Sequence, residues 1–193
     1  AATLYLPVGD GAFATLMEAL PYRMDDITSS YADSYQRFAA EGGFAVLRLD
    51  LRGTGSSGGH LPDEYADIER DDLTDVIRWI AAQPWSTGRV GMFGTSYSGF
   101  NSLHMAMEDL PELGAIVAMY ATDDRYTDDV HWCGGVLRAL DLIDYPLYMV
   151  AMNALPPVPS RWGDGWVDEW HARVERASPW MLDWMRRRDG ADP

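Results

Sequence analysis

Four mainly apolar runs, separated by segments with a helical repeat, restrict this chain to an α/β architecture. The runs cover Phe13–Leu20, stopped by Pro21, then 44–49, 89–93 and 115–119. Between the first two, Tyr31, Tyr35, Phe38 and Ala39 fall on one face of a helix that ends at Gly42-Gly43. Leu73, Val76, Ile77, Ile80 and Ala81 then recur at helical spacing until Pro84, and 100–110 is helical up to Pro111. Strands that are apolar along their whole length are covered on both faces, as in a mostly parallel sheet with helices on either side.

Charge narrows the partners. The 193 residues carry a net charge of −15, and all 15 basic residues are arginine, so nucleic acid and anionic membrane surfaces are poor partners. The acidic pairs Asp25-Asp26, Asp71-Asp72, Asp123-Asp124 and Asp128-Asp129 are scattered and read as solvated surface. Apolar runs fall well short of the roughly 18 residues of a membrane span, and the opening segment lacks a basic leader, so a soluble, cytoplasmic protein is expected. The single cysteine, Cys133, forbids an internal disulfide and reads as a small buried hydrophobe. With 47% apolar residues the chain can fill one core and a small appendage.

From Asp128 onward the pattern becomes helical, which divides the chain into an α/β part, 1–127, and a helical part, 128–193. Trp162, Trp166 and Trp170 stand at i, i+4 and i+8, although Gly163 and Gly165 argue against a helical Trp162. Ser178-Pro179 opens, and Gly190 closes, a helix carrying Trp180, Met181 and Trp184. These aromatic residues read as core rather than as a ligand platform, and Pro156-Pro157 with Pro159 as a stiff connection.

Chemistry is announced at Gly94-Thr95-Ser96-Tyr97-Ser98-Gly99, directly after the run 89–93. A serine on a sharp strand-to-helix turn between small residues is a nucleophile elbow, and the backbone N–H of the next residue, Tyr97, is a donor for an oxyanion hole. The spelling is G-x-S-Y-x-G, with Ser98 where the commoner pattern has glycine. It resembles the family of cocaine esterase, α-amino-acid ester hydrolases and X-Pro dipeptidyl peptidases (CocE/NonD, peptidase S15). The stretch Asp50-Leu51-Arg52-Gly53-Thr54-Gly55-Ser56-Ser57-Gly58 resembles a loop of the same family, D-x-R-G-x-G-x-S-x-G, near the active site. Its arginine reads equally as a partner for Asp50 or a neighbouring carboxylate.

Pro21-Tyr22, after the first strand, is a third point of resemblance, which implies that the Tyr22 hydroxyl is the second oxyanion donor; an amphipathic tyrosine plugging the sheet end is the alternative. The resemblance further implies an α/β-hydrolase fold whose helical cap begins near Trp166, a serine acyl-enzyme mechanism without a cofactor, and a small ester, amide or peptide substrate. It covers nearly all of the chain but only the front of the family's catalytic domain, starting on what looks like the second strand. The acid and histidine that follow the nucleophile are then expected beyond residue 193, the chain is expected to be incomplete, and a homo-oligomer is open.

Two alternatives rest on residues within the chain. Asp123 or Asp124 with His131 has the right order for an internal triad, whereas His60, His104 and His171 are weaker candidates. Gly53 to Gly58 also matches G-x-G-x-x-G, yet no helical period starts before about Ile68, so a nucleotide-dependent oxidoreductase is a distant alternative, behind a non-catalytic binding module. His131 and Cys133 are too few for a metal site.

Overall fold

The computed structural model describes residues 1–188, so Gly190, the expected helix stop, lies outside the described residues. Five strands form one sheet in the order β1-β3-β2-β4-β5: β1 (Ala2–Tyr5), β2 (Phe13–Leu20), β3 (Ala45–Asp50), β4 (Ser86–Thr95) and β5 (Leu113–Met119). All neighbours are parallel except β1, which pairs antiparallel with β3 and was not anticipated because its four residues are too short for a periodic signal. The intervening helices are α1 (Ala32–Ala40), α2 (Asp67–Ala81) and α3 (Tyr97–Met107).

Strand alternation sends neighbouring side chains into different cores. Met17, Leu47 and Met92 join Leu73, Ile77 and Ile80 of α2 and Met105 of α3 in the main core. The adjacent Leu16, Val46 and Phe93 turn to the other face, where Tyr35 and Ala39 of α1 cover them. Tyr31 and Phe38, expected on the buried face of α1, are half exposed, because Tyr31 belongs to the 3₁₀ turn before the helix and Phe38 reaches only the edge of the Phe93 ring. Helix α3 stops at Met107, short of Pro111, where Asp109 takes φ 49° and turns the chain towards β5. β5 is an edge strand with Val117 56% and Met119 43% exposed.

Beyond β5 come a two-stranded hairpin, β6 (Trp132–Cys133) and β7 (Val136–Leu137), and four helices, α4 (Ala139–Asn153), α5 (Pro159–Trp162), α6 (Trp166–Arg176) and α7 (Trp180–Arg188). Gly134 and Gly135, at φ 58° and 76°, form the hairpin turn, which requires left-handed backbone at both positions. Cys133 is exposed on this hairpin, contrary to the buried site expected, because two short strands offer no core to enter. Helix α4 was not legible either, since Pro146 lies inside it and removes a backbone donor. It survives because Met149 and Met152 bury against Leu61 and Trp180 of α7. Of the tryptophans, Trp180 is core, Trp166 and Trp170 stack on each other, and Trp162 lies in the separate helix α5.

Helix α6 is fastened to the glycine-rich loop after β3. The buried Arg173 guanidinium donates to the carbonyls of Gly55 and Ser57 at 3.0 Å each and is paired with Glu169 at 3.1 Å. The Asp50 carboxylate accepts the backbone N–H groups of Met24 and Ser56, and a Cβ on Gly55 would collide with it. Arg52 is paired with Asp72, the neighbouring carboxylate, rather than with Asp50. No helix starts in this loop: α2 begins only at Asp67, and the N–H groups of Gly53, Thr54, Ser56 and Ser57 are already donated within the chain, so the glycines serve close packing and not a pyrophosphate.

Candidate active site

Ser96 stands between the last residue of β4 and the first of α3, with φ 59° and ψ −116°. A non-glycine residue there is strained by on the order of 1–3 kcal/mol and persists only where its surroundings fix it. They do. The Ser96 N–H donates to the Met119 carbonyl of β5 at 2.8 Å, and its carbonyl accepts from Phe100 N–H at 2.9 Å. A Cβ on Gly94 would collide with the Ser98 side chain, and one on Gly99 would lie 2.7 Å from the Met119 carbonyl oxygen. Ser96 itself is exposed, and among the described residues its hydroxyl has no hydrogen-bond partner. The Tyr97 N–H beside it is the first amide of α3, which helix geometry leaves without a carbonyl partner four residues back.

Tyr22 follows β2, the strand next to β4, so both turns open at the carboxyl ends of adjacent parallel strands. Its ring meets the Tyr97 ring edge-on at 6.1 Å, and its hydroxyl lies 3.3 Å from that of Tyr145 in α4. Burial, the largest influence, pushes the Tyr22 pKa up to about 12, so it remains a neutral donor near neutrality. The Tyr97 side chain, fully buried, donates to Glu69 at 2.8 Å and stacks on Tyr65 at 4.3 Å. Glu69 is raised to about 8 by burial, against the opposing hydrogen bond from Tyr97.

A cavity of about 370 Å³ adjoins this group, lined by Glu64, Tyr65, Arg125, His131, Trp132 and Trp184 among others. His131 Nε2 and Glu64 Oε1 are 3.0 Å apart, both nearly buried, and each has a second polar atom, Nδ1 and Oε2, without a partner among the described residues. Burial opposes charging of His131, but the hydrogen bond and charge of Glu64, with Asp129 behind, leave its pKa raised. Arg125 lies 4.5 Å from the ring centres of both Tyr65 and Phe100 and pairs with Asp129 at 3.3 Å. Asp129, expected on the solvated surface, is therefore buried by its ion pair, and Asp25 is largely buried beside Arg161.

The internal triad does not assemble. The carboxylate partner of His131 is Glu64, not Asp123 or Asp124, and the exposed Asp124 side chain instead accepts the N–H groups of Tyr126 and Thr127. His104 meets the edge of the Tyr65 ring, with its pKa lowered by burial and then by Arg125 and Arg70. His60 lines a narrow crevice beside Arg173 and Arg176, and His171 is exposed next to Trp170. No group of three or more potential metal ligands occurs among the described residues, and none of their helices is long and apolar enough to cross a membrane. Glu64, Arg125 and Tyr145 were not singled out from sequence, because no motif connects residues so far apart.

A parallel sheet with its serine on this strand-to-helix turn defines an α/β-hydrolase. The model of the X-Pro dipeptidyl-peptidase (S15) family matches residues 1–193, and the chain belongs to that family of hydrolases. It is 34% identical to the cocaine esterase of Rhodococcus sp. (strain MB1 Bresler) over 151 residues, 75% of this chain and 25% of that protein. The crystal structure of a CocE/NonD family hydrolase from Staphylococcus aureus superposes with a TM-score of 0.64 at 22% identity, covering 90% of this chain and 33% of that one. An α-amino acid ester hydrolase superposes with a TM-score of 0.58 at 25% identity, covering 75% and 26%. The chain thus spans about a quarter of the length of the cocaine esterase.

Proposed function

We propose that this chain carries the nucleophile and the oxyanion hole of a serine hydrolase acting on an ester or amide acyl bond. The observation that supports it most is the left-handed backbone of Ser96, with an exposed hydroxyl, between two glycines that cannot accept a side chain. The Ser96 Oγ attacks the carbonyl carbon while its proton passes to a general base, and the carbonyl oxygen becomes an oxyanion held by the Tyr97 N–H and the Tyr22 hydroxyl. Collapse of this intermediate expels the alcohol or amine, which takes up the proton, and leaves an acyl-enzyme that water cleaves.

None of the described histidines hydrogen-bonds to Ser96, and the base and its acid are assigned to the part of the family's catalytic domain that this stretch does not cover, since it matches only 25% of the cocaine esterase. In this scheme 1–127 is the front of the hydrolase core and 128–193 part of a cap. The substrate is a small ester, amide or peptide, whose acyl or leaving group enters the cavity between Tyr65, His131 and Trp184. The decisive experiment uses the full-length protein. A fluorophosphonate should label Ser96, and Ser96→Ala should lose both the label and at least about 10³ of the turnover. Labelling at Ser98 would overturn the assignment of Ser96, and none in the parent protein would leave a binding module on a hydrolase scaffold.

A further inference from the structure

Behind the Ser96 turn lies a buried chain of polar side chains that the proposed chemistry does not use. Glu18, the only charged residue in β2, is 9% exposed. Its Oε1 accepts from the Ser98 hydroxyl at 2.7 Å, and its Oε2 accepts from the hydroxyl of Tyr35 in α1. The Ser98 oxygen in turn accepts the backbone N–H of Thr95 at 2.9 Å. Arg48, opposite Glu18 in the register of β2 and β3, lies 5.1 Å from the Tyr35 ring centre. The network therefore reaches from α1 through the sheet to the N–H of Thr95, the residue before Ser96.

The direction of these bonds follows from the chemistry of Glu18. Each of its carboxyl oxygens accepts from one hydroxyl, and the Ser98 oxygen keeps a lone pair to face the Thr95 N–H. Without that acceptor the Ser98 proton has only the Thr95 carbonyl, 3.2 Å away, to turn to, and the hydroxyl that accepts the Thr95 N–H loses the bond that anchors it to β2. Gly94 belongs to the same device, because a Cβ there would occupy the space of the Ser98 hydroxyl. The serine that departs from the commoner motif spelling thus clamps the strained turn.

We propose that Ser98 and Glu18 are positioning residues: Glu18 orients the Ser98 hydroxyl, which holds the Thr95 peptide and with it the backbone of Ser96. This inference rests on the assignment of Ser96 as nucleophile. It is tested in the full-length protein with Ser98→Ala, Glu18→Met, which has no oxygen to accept the Ser98 hydroxyl, and the double variant, by steady-state kinetics on p-nitrophenyl acetate, the rate of fluorophosphonate labelling, and thermal melting. Each single change should lower kcat and the labelling rate about tenfold or more with KM within about twofold, since a misplacement near 1 Å costs up to about 10². The double variant should be no slower than the slower single one, because both act through one hydrogen bond. A folded Ser98→Ala or Glu18→Met variant with unchanged kcat and labelling overturns the inference, as do independent, multiplicative losses. If neither single variant folds, the pair is structural and the inference fails. Absence of Ser96 labelling in the parent protein removes the serine-hydrolase assignment and this inference with it, whereas unchanged labelling in Ser98→Ala removes the inference alone.

Discussion

The turn at Ser96 and the cavity beside it are built in opposite ways. Gly94 to Gly99 makes the turn within six consecutive residues, and β5, β2 and Glu18 hold it through single, well-aimed hydrogen bonds. The cavity wall draws Glu64 from the approach to α2, Arg125 and His131 from the segment after β5, and Trp184 from α7. The first region has one conformation dictated by backbone geometry. The second depends on helices that dock onto the core through contacts such as the Arg173 clamp and the Met149, Met152 and Trp180 cluster. A fixed turn with a separately built wall lets the same chemistry be kept while the pocket varies, since ligands are read by side chains from several loops.

The contrast can be broken at the turn. In the full-length protein Tyr22→Phe should lower kcat by about 10²–10³ with little change in KM, the cost of one oxyanion donor. Retained kcat would return Tyr22 to a packing role against Tyr97 and Tyr145.

A second effect is expected in stability. Because burial lifts Glu69 from 4.5 to about 8, the folded chain holds a proton that the unfolded chain has lost between those values. This contribution is complete below about pH 4.5 and is lost as pH rises through 8, with a slope of at most about 1.4 kcal/mol per pH unit. Melting curves across pH 5–8 should show the decline, and Glu69→Gln should flatten it; an equal slope in the variant would assign it to other groups.

The smallest effect belongs to the cavity. Glu64→Gln keeps the shape of the wall but removes its charge beside His131, and should raise KM several-fold, up to about tenfold, with kcat nearly unchanged. A fall in kcat at constant KM would mean that wall and turn are not separate.

Much of this was open to reading from the chain. The strands β2 to β5 and the helices α1 to α3 follow from apolar periodicity, and the elbow from its glycines. Glu18 was a signal as well, a lone carboxylate inside an apolar strand, which must find donors when buried. Less legible were β1, too short to show a period, the hairpin around Gly134-Gly135, and α4, whose Pro146 reads locally as a break. The burial of Asp129 and the exposure of Cys133 reversed their usual preferences, one through an ion pair with Arg125 and the other by standing on an isolated hairpin.

Sequence alone determined what depends on neighbours along the chain: the alternation that builds a parallel sheet, and the turn that presents Ser96, since both are set by backbone sterics and spacing within a few residues. Tertiary structure decided what depends on partners far away in sequence. It joined His131 to Glu64 rather than to Asp124, brought Tyr145 to Tyr22, and set the Glu18 carboxylate under Ser98. Such pairings carry no periodic signal, because a hydrogen bond is specified by position in space to within a fraction of an ångström and by nothing in the spacing of the two residues along the chain.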